Sequence, residues 1–163
     1  TEKFYNKLDL VKKVPNLIRV LTKLRIVKYF DIIGFFWLRP GLSELPIHID
    51  DPEFKTTLAL NIPIVGCSDS WTVWYKADID YDARIPDYAT DGKYDPGGRV
   101  IKGNALEIDR VNCGHASWVN IAIPHQGVYT GDTYRINASV RFTQGIYDLI
   151  DTDFFEKFLV AQV

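Results

Sequence analysis

In the stretch Leu45-Pro-Ile-His-Ile-Asp50, an imidazole and a carboxylate stand one residue apart. If the segment is extended, residues two apart share a face, so His48 and Asp50 point into one space. One histidine and one aspartate so placed supply two of the three ligands of a facial triad. That arrangement holds iron(II) and leaves coordination positions open for oxygen and substrate. The pair alone is equally compatible with a strand-end histidine beside a turn-forming aspartate. A third ligand must come from elsewhere, and the chain has three histidines. His115 sits in Asn112-Cys-Gly-His-Ala116, which reads as a turn, whereas His125 follows the apolar stretch Trp118-Val-Asn-Ile-Ala-Ile-Pro124. A ligand is held better by a sheet than by a free loop, so His125 is the preferred third member.

Ten residues beyond His125 comes Arg135, in Tyr134-Arg-Ile-Asn-Ala-Ser-Val-Arg-Phe142. As a strand this segment puts Arg135, Asn137, Ser139 and Arg141 on one face and Ile136, Ala138, Val140 and Phe142 on the other. Two arginines, an amide and a hydroxyl in a row are costly to bury unless something anionic meets them. A dicarboxylate would, because guanidinium forks grip carboxylates in bidentate fashion. A strand with one face in water shows the same alternation. Asn61 and Tyr75 are further candidates for polar contacts in such a pocket, although a strand-end Asn and a core aromatic need no ligand. Asn137-Ala-Ser139 also matches a glycosylation sequon, which a core strand would make irrelevant.

The elements that must position these groups are mostly strands. Val27 to Trp37 is dense in β-branched and aromatic residues, and further strands are expected at 45–50, 56–64, 71–77, 99–109, 116–123 and 133–142. Short strands between Pro, Gly and Asp turns point to an antiparallel sandwich or barrel whose sheets bury their aromatic faces between them. Helices are expected at the flanks. Residues 4–14 carry Phe4, Leu8 and Val11 at helical spacing up to Pro15, residues 16–24 form a second helix with Asn16 as a cap, and 153–160 a third. In the third, Asp153 with Glu156 makes a capping box, and Phe154, Phe155, Phe158 and Leu159 give an apolar face that could serve a homodimer. Residues 78–98 are acidic and rich in turn formers, which suggests a long loop, either a lid or a solvated excursion. Asp78, Asp80 and Asp82 imitate the start of a calcium loop, but Ala83 and Ala89 stand where that loop needs Gly and Glu.

Taken together, these pieces resemble the iron(II)- and 2-oxoglutarate-dependent dioxygenases, whose pattern is HxD on an early strand, a distal His, and an Arg about ten residues later on the last core strand. The resemblance covers roughly residues 27–142, including the lead-in Arg39-Pro-Gly-Leu-Ser-Glu-Leu-Pro-Ile-His48. It implies a double-stranded β-helix, a jelly roll related to the cupins, with flanking helices. It implies iron(II) on His48, Asp50 and His125, and a salt bridge from Arg135 to the distal carboxylate of 2-oxoglutarate. The run Arg135-x-Asn137-x-Ser139-x-Arg141 is also similar to the cosubstrate-binding strand of the alkylated-nucleobase demethylases, where the later Asn and Arg help hold 2-oxoglutarate. The implied reaction is oxidative decarboxylation of 2-oxoglutarate coupled to hydroxylation of an unactivated C–H bond. A cupin-like metal enzyme without 2-oxoglutarate and a non-catalytic jelly-roll binding module are the competing readings.

Bulk properties set outer bounds. The 163 residues suit a single domain, 1–163. A net charge of −2 argues against a nucleic-acid-binding surface, leaving an unidentified small molecule or peptide as the expected substrate. The apolar runs, Ile32 to Leu38 and Leu58 to Val65, are far shorter than the ~20 residues of a membrane-spanning helix. Cys67 and Cys113 form no CxxC motif and are expected as buried free thiols. The first residues, TEKFYNKLDL, contain no apolar signal core, so a cytoplasmic setting is the default expectation.

Overall fold

A computed structural model describes residues 2–6, 14–40, 46–50, 57–84 and 98–147, the first of these segments as backbone only. Nine strands and one α-helix occupy these segments. They are β1 (Glu2–Asn6), α1 (Pro15–Lys23), β2 (Phe30–Leu38), β3 (His48–Ile49), β4 (Leu58–Val65), β5 (Ser70–Arg84), β6 (Arg99–Asn112), β7 (Ser117–Asn120), β8 (His125–Tyr129) and β9 (Arg135–Phe142). Every pairing is antiparallel. One sheet has the order β1-β2-β9-β4-β7, and the other links β3, β6, β5 and β8 in a ring of pairings. From β2 onward the chain alternates between the sheets, except at β5 and β6, which pair with each other. That winding is a double-stranded β-helix, so the expected mainly β jelly-roll architecture is the observed one.

The main hydrophobic cluster lies outside the sandwich rather than between its sheets. On β9, Ala138, Val140 and Phe142 face away from the second sheet. They pack with Phe30 and Ile33 of β2, Leu60 of β4, and Leu21 and Ile26 in and after α1. The helix earns this position through Leu17, Ile18, Leu21 and Leu24, which recur at helical spacing on one side. Between the sheets the apolar cluster is small: Ala59, Val119 and Ile121, with Trp74 against them. The alternate positions of β9, Arg135, Asn137, Ser139 and Arg141, are all buried there, so the interior is polar where the sequence suggested an aromatic core.

Several local expectations were overturned. Residues 4–6 belong to β1, which pairs with Ile32–Phe36 of β2, because an open sheet edge supplies backbone partners that three apolar residues at helical spacing do not outweigh. Residues 7–13 and the expected helix at 153–160 lie outside the described residues. Pro15 opens α1, since at the first helical position its missing N–H costs nothing. The N-cap is therefore Val14, with no side-chain cap, and not Asn16. The first part of the supposed loop 78–98 is strand: Asp78 and Ile79 pair with Lys102 and Ile101, and β5 runs to Arg84. Its alternation of acids with Ile79 and Tyr81 was itself a period-two signal. Cys67 and Cys113 are buried free thiols, as expected.

Gly66 shows how tightly the site-bearing strand is anchored. It follows β4 with φ of 62°, a region that favours glycine. A Cβ there would sit inside contact distance of the Tyr134 carbonyl oxygen, just ahead of β9. Gly103 has φ of 76° but open space around it. Gly66→Ala is therefore expected to lower unfolding free energy by ~2 kcal/mol or more, against ~1 kcal/mol for Gly103→Ala, as measured by urea denaturation.

Candidate metal centre

His48 is brought to His125 by strand register. The short β3 lies between β6 and β8, and His48 is the direct partner of His125. The two rings are 4.6 Å apart between centroids. Asp50, two residues after His48, is aimed the same way, and its backbone N–H donates to the Ile121 carbonyl at 3.0 Å. Asp50 Oδ1 lies 3.5 Å from His48 Nε2 and 3.4 Å from His125 Nε2. One ligand atom from each of the three residues can be chosen so that all lie within 4.8 Å of one another. His115 is exposed at the turn after Cys113, remote from this group by its place in the fold.

The tautomers follow from the backbone. His48 Nδ1 is 2.7 Å from the Pro46 carbonyl oxygen, and His125 Nδ1 is 2.9 Å from that of Ile123. A carbonyl only accepts, so Nδ1–H donates in each ring and a neutral ring turns the lone pair of Nε2 toward Asp50. Burial pushes the His125 pKa below its ordinary value and outweighs the opposing hydrogen bond with Asp50, so this ring is neutral at neutral pH. Burial alone would raise the Asp50 pKa. The Arg141 guanidinium is the largest opposing influence, and the carboxyl is held well below the usual range. The result is a cluster of inward lone pairs around a carboxylate, which is the donor set a divalent cation needs.

Arg141 completes the electrostatics. Its Nη2 is 2.5 Å from Asp50 Oδ2, so one carboxylate oxygen is engaged by the arginine while the other faces the imidazoles. The cavity beside them measures about 70 Å³, room for roughly five water-sized groups. His48, Asp50 and His125 line it, as do Arg135, Asn137, Ser139 and Arg141 of β9, and Asn61 of β4. Asn61 reaches it because it is paired with Ser139, on the same face. The Oδ1 atoms of Asn61 and Asn137 are buried with no hydrogen-bond partner among the described residues, which is costly without a ligand or ordered water.

Eight of the nine residues singled out from sequence thus surround one space. Tyr75 is the exception. Thr72 lines the cavity and Trp74 packs between the sheets, so the two-residue alternation of β5 turns Tyr75 to the other face, where its hydroxyl donates to Gln126 Oε1 at 2.8 Å. Sequence reasoning missed the apolar walls, Phe36, Val119 and Ile121, and the second-sheet wall, Thr72 and Gly127. Phe36 reaches the cavity because it pairs with Asn137 across β2 and β9, a register that the sequence does not carry. It also missed Ser70. Among the described residues no helix is long and apolar enough to cross a membrane.

Comparisons with known proteins assign no family. No family model matches the chain, and no curated protein does. Among solved structures, the chain is similar to the oxalate decarboxylase of Bacillus subtilis, with a TM-score of 0.36 and 12% identity over 76% of this chain and 24% of that one. It is similar to the non-heme alpha-ketoglutarate-dependent epimerase SnoN from nogalamycin biosynthesis, with a TM-score of 0.44 and 11% identity over 87% of this chain and 63% of that one. It is likewise similar to EvdO2 from Micromonospora carbonacea var. aurantiaca, with a TM-score of 0.44 and 13% identity, covering 87% of this chain and 67% of that one. The chain therefore spans about a quarter of the decarboxylase and under two thirds of the epimerase. The site is defined by its own geometry.

Two outcomes follow. Replacing His48, Asp50 or His125 by Ala should each abolish binding of one equivalent of divalent metal, while His115→Ala leaves it intact, as read by calorimetric titration. Arg141→Met strands a buried carboxylate and should destabilise the metal-free protein by about 3 kcal/mol or more in chemical denaturation.

Proposed function

We propose that this chain is an iron(II)- and 2-oxoglutarate-dependent oxygenase that hydroxylates a small-molecule or peptide substrate. The carrying observation is the polar face of β9. Arg135 and Arg141 are six residues apart, roughly 20 Å along a strand, yet both line one cavity. Arg141 is occupied by Asp50 at the metal end, whereas Arg135 stands at the other end with no acidic partner among the described residues. A cavity with a cation site at one end and a buried guanidinium at the other suits an anion with two ends, as a dicarboxylate is.

In this reading His48 Nε2, Asp50 Oδ1 and His125 Nε2 would hold the iron, which the lone-pair cluster fits. Bound iron(II), 2-oxoglutarate and dioxygen together supply oxidative decarboxylation of the cosubstrate coupled to insertion of one oxygen atom into a C–H bond. Arg141 keeps Asp50 Oδ2 engaged, so Asp50 would have Oδ1 to offer the ion. Arg135 would take the distal carboxylate, and Asn137, Ser139 and Asn61 would contact the cosubstrate between the two ends. Phe36, Val119 and Ile121 give the cavity its apolar walls.

Anaerobic addition of iron(II) and then 2-oxoglutarate should produce the weak visible charge-transfer band of such a site. Arg135→Ala should weaken 2-oxoglutarate binding about a hundredfold while still binding one equivalent of iron. A protein that binds iron but shows neither the band nor thermal stabilisation by 2-oxoglutarate would sink this reading. It would favour a cupin-like metal enzyme that uses no such cosubstrate.

A further inference from the structure

Arg135 is held by a residue on the opposite sheet. Ser70, the first residue of β5, is fully buried, and its Oγ accepts a hydrogen bond from Arg135 Nε at 3.0 Å. The same hydroxyl donates to the Cys67 carbonyl at 2.9 Å, and the Ser70 N–H donates to that carbonyl at 3.2 Å. The Ser70 carbonyl in turn accepts from the Cys113 N–H at 2.8 Å, tying the turn before β5 to the end of β6. Ser70 is thus fixed through its N–H, its carbonyl and its hydroxyl before it meets the guanidinium. Its hydroxyl has only one hydrogen. Because that hydrogen goes to Cys67, the oxygen is left as an acceptor for the arginine.

We propose that Ser70 is the positioning residue of the Arg135 guanidinium, and that it selects which edge of that group a ligand carboxylate meets. This rests on the 2-oxoglutarate reading given above. With Nε–H engaged by Ser70, the side-on fork of Nε and Nη2 is closed to a ligand. The Nη1 and Nη2 donors remain, so a carboxylate is gripped end-on, in line with the long axis of the side chain. An arginine has four flexible side-chain torsions, and a hydroxyl locked by its own hydrogen bonds removes much of that freedom before the ligand arrives. Ser70 touches neither metal nor reacting atoms, so its effect belongs to cosubstrate affinity and not to the chemical step.

The test is an anaerobic titration of the iron-loaded protein with 2-oxoglutarate, read by the visible band, together with steady-state kinetics. Ser70→Ala should raise the 2-oxoglutarate Kd and KM about tenfold, with iron stoichiometry unchanged and kcat at saturating cosubstrate within twofold. In an Arg135→Ala background the same substitution should have no further effect on 2-oxoglutarate affinity, because its route of action has been removed. Ser70→Thr keeps the hydroxyl and should stay within threefold of the parent, which keeps the proposal testable if the alanine variant folds poorly. Equal affinity in parent and Ser70→Ala overturns the positioning role. A loss of kcat without change in KM, or the same tenfold loss in the Arg135→Ala background, overturns it as well. Failure of the parent protein itself to bind 2-oxoglutarate overturns the underlying functional reading instead.

Discussion

A carboxylate buried in the middle of a β-sandwich is unstable unless positive or hydrogen-donating groups surround it, and Asp50 is such a carboxylate. Burial works against its charge, while the Arg141 guanidinium restores it. That balance constrains the strands that carry these groups. β3 must lie against β8 so that His48 meets His125, and β9 must turn Arg135, Asn137, Ser139 and Arg141 inward so that Arg141 reaches Asp50. The polar face of β9 is then committed along its whole length, because a strand cannot rotate one residue without its neighbours.

This commitment explains where the hydrophobic core lies. A sandwich ordinarily buries its apolar faces between the sheets. Here the space between the sheets holds charges and amides, so apolar stabilisation has moved to the outer face of the first sheet, under α1. Ala138, Val140 and Phe142 alternate with the site residues and give β9 two buried faces with opposite chemistry. One strand therefore joins the stability of the domain to the geometry of its site, and the close approach of Gly66 to Tyr134 anchors its beginning.

The readable part of the site was the part governed by local periodicity. HxD, and the alternation of Arg135, Asn137, Ser139 and Arg141, needed only the extended backbone to be interpreted. The Ile136 series was visible as the opposite face, although its burial under a helix was not. Tyr75 falls on the outer face of β5, because which face of that strand turns inward was decided by its pairing in the sheet and not by composition. Ser70 carried no sequence signal at all. A serine at a strand start is common, and its meaning comes from an arginine 65 residues away on the opposite sheet. Residues 4–6 were misread for a related reason, since their strand exists through the edge of β2.

The sequence by itself determined which side chains share a face, because the two-residue period of a strand is set by covalent geometry. It also determined that two arginines, an amide and a hydroxyl would travel together on the last core strand. Only the tertiary structure decided that this face is buried, that His125 rather than His115 meets His48, and that Arg141 rather than Arg135 holds Asp50. Those are matters of strand register and sheet order, which arise from contacts between residues distant in the chain.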